Sequence, residues 1–447
     1  MRKNFKLMTQ SVLSVSVLMV ASSSFAQMSL EEQVASLQKQ VQELQEMMKQ
    51  QQNTNAVIQQ DLKTTAVSPP PVPSSSQVEK KPWNKFSSKN GAELEIYGNV
   101  RADGSYQSKG ANTIYNKINA VPLDGSADVR KNSDRLQTSL NATRFGFNFK
   151  TPILGEHDLG GKVEMDFFGG TGRDTFRIRH AFITLDQWLI GQTWSNFNAI
   201  ENYPETVDAS LSVGGSLTRV PQIKYSYPVD QNLNVAVSLE DPKAETITTT
   251  GNETVQTDPY AKLKLPSLTG RVNYRFDNGS SVSGRAFLTQ KTTSYGKGDD
   301  FLAWGIGAGG KLQILPKTLL RVDYNHINGD TKNVLWTNSA YALEMDGHMR
   351  PNELDTVAVG ITQQFTSKIR GTLGFGFMRA DDDNEFARLV YSDPSQNKQL
   401  AQGWVNMFYN PYKPLNVGLE YMYGERKTFD NRTGEDNRVN FTAIYDF

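Results

Sequence analysis

The chain has 447 residues, 10% of them aromatic, with 35 glycines and no cysteine, so neither a disulfide nor a thiolate metal site can form and rigidity must come from backbone pairing and packing. Subtracting Arg2, Lys3 and Lys6 of the leader from the 47 basic side chains leaves 44 against 47 acidic ones, which is not the balance of a nucleic-acid binder.

Residues 1–26 have the form of a secretory signal peptide: a basic start, an apolar run from Val12 to Ala21, and small residues at Ser24-Phe25-Ala26. After it no apolar run approaches the ~20 residues of a transmembrane helix. Two architectures remain, a soluble periplasmic protein or a β-barrel whose alternating strands hide membrane spans from hydropathy.

Residues 28–63 carry apolar positions at spacings of four and three. Val34, Val41, Met48, Asn55 and Leu62 occupy heptad position a, and Leu30, Leu37, Leu44, Gln51 and Ile58 occupy d. The spacing predicts a coiled coil, periplasmic if the signal peptide directs export, with Val34, Leu37, Val41, Leu44 and Met48 as its oligomerisation seam. Val at a and Leu at d favour a parallel dimer in isolation. Residues 64–90, with VSPPPVPSSS from Val67 to Ser76, read as an extended linker.

From residue 91 to 447 the period becomes two. Leu94, Ile96, Gly98, Val100 and Ala102 alternate with Glu95, Tyr97, Asn99, Arg101 and Asp103, and Phe145, Phe147 and Phe149 alternate with Arg144, Gly146, Asn148 and Lys150. A β-sandwich also alternates, so the connections decide. Tight turns, such as Asp186-Gln187, Asp277-Asn278-Gly279, Pro316-Lys317 and Ser367-Lys368, separate long polar loops, and that asymmetry belongs to transmembrane barrels. The expected fold is an all-β barrel of about sixteen antiparallel strands in the outer membrane, wide enough for an aqueous channel. Its last strand alternates through Val439, Phe441, Ala443 and Tyr445 to a terminal Phe447.

With the coil in the periplasm, Arg101, Arg144, Arg177 and Arg179 fall in the inward register of the first, second and fourth strands and form a basic wall. Lys150, Lys162, Lys224, Arg271, Arg275, Arg285, Arg321, Arg370 and Arg379 are the other inward cations, against Glu95, Asp103, Glu164, Asp166, Asp323 and Glu420. Loop 195–217 carries Glu201, Glu205 and Asp208. Folded into the lumen, as in barrels resembling general porins, it sets carboxylates against the wall and narrows the channel. A net basic lumen predicts passage of small anions, and the planar fork of arginine suits a carboxylate at each end of a dicarboxylate.

No enzyme signature survives this reading. Gly305, Gly307 and Gly310 match a dinucleotide-binding spacing, but strand and turn follow where a helix is required. His157, His180, His326 and His348 lack metal-ligand spacing, and Asp381-Asp382-Asp383 reads better as a solvated loop than as a cation site. No cofactor is expected. An alternative function is a structural anchor, whose coil tethers the cell wall or a periplasmic partner.

The order of signal peptide, heptads, linker and barrel, with Phe176-Arg-Ile-Arg-His180-Ala-Phe and Ile190-Gly-Gln-Thr-Trp194-Ser-Asn-Phe197, resembles the DcaP-like porin family. Gly191 to Phe197 and Pro204-Glu205-Thr-Val-Asp208 are the most specific stretches. The resemblance implies a homotrimer of sixteen-stranded channels, set in outer-membrane lipid and lipopolysaccharide, that favours dicarboxylates and admits some anionic β-lactam-type drugs. It carries roles over to Arg177, Arg179, Glu205 and Asp208. The Val/Leu seam departs from the trimer it implies, so the barrels would have to set the number.

Overall fold

The computed structural model describes residues 83–153, 157–169, 175–249 and 252–447. The expected signal peptide, coiled coil and most of the linker lie outside the described residues.

Alternation of apolar and polar residues produces a single closed sheet. Its strands are β1 (Glu93–Lys109), β2 (Arg135–Ser139 and Arg144–Ile153), β3 (His157–Asp166), β4 (Arg177–Leu185), β5 (Trp188–Trp194), β6 (Arg219–Pro228), β7 (Leu233–Glu240) and β8 (Ser267–Arg275). It continues through β9 (Ser281–Thr293), β10 (Asp299–Leu315), β11 (Thr318–Asn328), β12 (Glu353–Gln364), β13 (Ile369–Ala380), β14 (Asn397–Tyr409), β15 (Leu415–Thr428) and β16 (Thr433–Asp446). Every neighbour pairs antiparallel, and β16 closes on β1 from Asn99↔Asp446 to Lys109↔Asn437. Beyond that ladder Phe447 and Gly98 exchange both backbone hydrogen bonds, at 3.0 and 3.1 Å. The break in β2 is bridged by Thr143, whose hydroxyl donates to the carbonyl of Arg101 and accepts from its N–H.

One face of each strand meets lipid and the other the interior. On β13, Leu373 and Phe375 are exposed while Thr372, Gly374, Gly376 and Met378 are covered. Arg379, expected inside, shares the outward register of Leu373 and Phe375, and its side chain is 62% exposed beside Asp382. Arg370 and Arg379 are nine residues apart, and on a regular strand an odd separation puts two side chains on opposite faces. The wall is uneven. Strands β3–β8 have seven to ten residues each, whereas β9–β16 have eleven to seventeen.

Two of the long polar loops also fold. Thr246–Thr249, Asn252–Thr257, Tyr341–Leu343 and Met349–Pro351 make a second, four-stranded sheet above the barrel, where Ile247, Tyr341, Leu343 and Met349 are buried together. Beneath it Lys291, from the outer end of β9, is buried between Glu245 and Asp330, the latter at 3.1 Å, and Lys332 stands 3.4 Å from Asp330. Burial pushes the Glu245 carboxyl up, and the charge of Asp330 adds to that. At Asp330 burial acts the same way but is overruled by the ammonium groups of Lys291 and Lys332, which hold it well below the usual carboxylate range.

Removing one partner from such a buried group leaves uncompensated charge, at a cost of about 3–5 kcal/mol. Lys291→Met is therefore expected to loosen this outer sheet, read as faster proteolytic nicking within 241–258 and 329–352 while the barrel stays intact.

Candidate functional site

The chain leaves β5 at Trp194 and turns inward. The Ser195 hydroxyl and the Asn196 N–H both donate to Glu240 on β7 at 2.7 Å, and Phe197 packs edge-on against Phe287 of β9, ring centroids 5.0 Å apart. These contacts aim the following residues across the interior. Asn202 donates to Asp323 on β11 and Ser283 on β9. Glu205 pairs with Arg370 on β13 at 2.7 Å, and its carbonyl accepts from Trp404 and Asn406 on β14. The Thr206 hydroxyl and Val207 N–H donate to Glu420 on β15, and Arg101 on β1 donates to the Val207 carbonyl at 2.6 Å.

Two glycines let the loop lie this close. A Cβ on Gly376 of β13 would stand 1.9 Å from the Val213 carbonyl oxygen, and one on Gly360 of β12 would stand 2.6 Å from the Pro204 ring. Glycine at these inward positions is required by backbone approach. Gly376→Ala is expected to push the loop off its wall, giving altered and fluctuating single-channel conductance. Gly284→Ala, where a Cβ meets nothing within 4 Å, is expected to leave conductance unchanged.

The loop thus packs against β8–β16 and β1. Among the described residues, segment 199–213 makes no hydrogen bond to β2–β6. That free side carries Arg144 on β2, Lys162 on β3, Arg177 and Arg179 on β4, and Arg219 and Lys224 on β6. A register shift where β4 pairs with β3 turns Arg179 and His180 inward together, both buried. Arg177 lies 2.6 Å from Asp166, and Arg179 lies 2.6 Å from Glu164 and 2.9 Å from Asp166. Lys162 rests over the Tyr97 ring at 4.8 Å. Among the described residues, Arg144, Lys162, Arg219 and Lys224 have no carboxylate within ion-pair distance.

The loop acids do not face this wall as the sequence suggested. Glu205 meets Arg370, Glu201 meets Arg271 on β8, and Asp208 lies 3.8 Å from Arg438 on β16 while accepting from the Asn116 N–H. The loop packs on that side, so its carboxylates find the nearest guanidinium there. Arg101 is engaged by Asp103 at 2.9 Å, and Arg285 is buried against Asp323 at 2.7 Å and over the Phe197 ring. Arg275 sits exposed at the tight turn after β8.

The sequence reading missed Arg219. It falls out of register with Lys224, and only its pairing opposite Trp194 brings its guanidinium over that ring, at 4.8 Å. Glu240, which anchors the loop root, was also missed. Its binding partners are 44 and 45 residues away.

Burial pushes the Asp208 carboxyl up to about 7, against the pull of the Arg438 guanidinium. The folded protein then holds a proton that the unfolded chain releases near the ordinary value of 3.8, so stability falls as pH rises between about 4 and 7. Raising the pH from 5 to 7 is expected to destabilise the wild type by about 2 kcal/mol relative to Asp208→Asn, measured as thermal unfolding in detergent.

The profile of the DcaP outer membrane protein family matches residues 13–447. The outer membrane channel DcaP of Acinetobacter baumannii is 34% identical, with a TM-score of 0.73 over 81% of this chain and 99% of that one. The anion-selective porin from Comamonas acidovorans, at 11% identity and a TM-score of 0.54 over 80% and 100% of the two chains, shares the fold alone. The same holds for Salmonella typhi OmpF in complex with daunomycin, at 15% identity and 0.50 over 81% and 100%. No curated protein sequence matches. With that profile matching nearly the whole chain and that identity to a solved outer membrane channel, the chain belongs to the DcaP outer membrane protein family.

Proposed function

We propose that this outer-membrane channel is a passive diffusion pore for small anionic solutes, dicarboxylates among them. One observation carries the reading: the inward loop packs on the β8–β16 and β1 side, and the other side holds Arg144, Lys162, Arg219 and Lys224, which have no carboxylate partner among the described residues. Positive charge between low-dielectric walls raises the local concentration of anions and repels cations. Arg177 and Arg179 contribute less net charge because Glu164 and Asp166 offset them, but their buried pairing holds the wall in place. Arginine serves a carboxylate with two parallel hydrogen bonds, whereas lysine offers a point charge.

The functional unit in this reading is a homotrimer in outer-membrane lipid and lipopolysaccharide. The heptad seam and the low side of the barrel, β3–β8, with Ile178, Ile183, Ile190 and Ile223 exposed on its outer face, support association between copies. A structural tether has less support, because an anchor has no use for a loop held across the lumen by ion pairs on several strands.

In a planar bilayer with a salt gradient, the wild type is expected to show a reversal potential displaced toward the anion. Arg144→Gln with Arg219→Gln is expected to bring it close to zero. Cation preference in the wild type refutes the reading, and an unchanged potential in the double variant removes these residues from it.

A further inference from the structure

On the side of the lumen away from the basic wall, under residues 200–205 of the inward loop, lies a recess of about 550 Å³. It reaches down to the tight turn at Pro316 and Lys317, and short turns mark the periplasmic end of such barrels. Lys311 on β10 and Arg321 on β11 both line it, and they are direct cross-strand partners on the inner face. Like charges placed opposite one another repel. Among the described residues, no carboxylate lies within ion-pair distance of either, and the Arg321 guanidinium donates only to the Thr362 hydroxyl, at 3.3 Å. Lys317, at the turn, and Arg370 are the other cations of the lining. Among the described residues, Arg370 is the one of these that carries an ion pair. It is held from above by Glu205, the two side chains 23% and 28% exposed, so water and solute reach that pair.

We propose that this recess is a second anion-binding site, on the periplasmic side of the constriction, which takes a small dicarboxylate between Lys311 and Arg321. The proposal rests on the anion-channel reading given above. A doubly charged solute relieves the repulsion between the paired cations, one carboxylate gripped by the guanidinium fork and the other by the ammonium. The Thr362 hydroxyl and Gln364 supply neutral hydrogen-bonding groups beside them. Glu205 keeps Arg370 engaged and Lys317 lies at the turn below, so the cross-strand pair of Lys311 and Arg321 forms the grip. A solute that has passed the open β2–β6 side therefore meets a second basic patch on the opposite wall before it leaves.

The test uses the full-length protein in planar bilayers, with succinate or acetate added to both sides as blockers and the reversal potential recorded in the same membranes. Succinate is expected to reduce the wild-type current at lower concentration than acetate. Lys311→Gln with Arg321→Gln should raise the half-blocking succinate concentration about tenfold, while Lys311→Arg with Arg321→Lys should retain the block. If the glutamine double variant conducts and is blocked as the wild type is, the recess is not a binding site, whatever the reversal potential. Equal block by succinate and acetate overturns the preference for a dicarboxylate. A cation-displaced reversal potential overturns the channel reading instead, and the blocking series still decides the recess.

Discussion

Hydrocarbon offers no hydrogen bonds, so every backbone N–H and C=O at membrane depth must find its partner within the protein. For a chain whose polar and apolar residues alternate, the only solution is a sheet with no edge. The rest of the structure follows from that closure. The barrel strands run from Glu93 to Asp446, with a short strand at Lys85–Ser87 paired beside Glu93–Glu95, and the first and last barrel strands pair over most of their length. Phe447 completes the seam through Gly98, with its ring centroid 5.9 Å from that of Phe145. Closure also fixes which side chains point inward, because a slip of one residue would put arginines into lipid and phenylalanines into water.

Inside the closed wall, charge neutralisation sorts the lumen into two halves. The loop after β5 carries three acids, each met where the loop lands: Glu201 pairs with Arg271 and Glu205 with Arg370, while Asp208, its carboxyl pushed up by burial, lies near Arg438. This spends the acids on β8, β13 and β16. On the opposite side two strand carboxylates, Glu164 and Asp166, hold Arg177 and Arg179, and among the described residues Arg144, Lys162, Arg219 and Lys224 are left without a carboxylate partner. The asymmetry arises from packing, since the loop must lie against some wall, and Gly360 and Gly376 make β12 and β13 the wall that accepts it.

The outer sheet is a separate solution to a separate problem. Loops in water need no closed ladder, yet 246–257 and 341–351 pair with each other because Ile247, Tyr341, Leu343 and Met349 bury one another. Beneath them the Asp330 carboxylate is kept charged by Lys291 and Lys332, while burial pushes the neighbouring Glu245 carboxyl up.

The alternation, the tight turns against long loops, the strand number and the inward register of Arg101, Arg144, Arg177 and Arg271 were legible in the sequence, because a strand's side-chain direction is set by parity alone. Parity failed where the strand itself was irregular or where its register was misjudged, as at Arg379 and at the bulge that turns His180 inward. The pairing of charges was not legible. Whether Glu205 faces Arg177 or Arg370 depends on the path of the loop through three dimensions, and its partner is 165 residues away. Arg219 likewise joins the lumen wall only because β6 lies beside β5. The sequence by itself determined a barrel and which face of each regular strand turns inward, since both follow from local periodicity. Only the tertiary structure decided which cations stay free, because neutralisation requires contact within a few ångströms, and contacts between distant segments exist only once the barrel has closed around its loop.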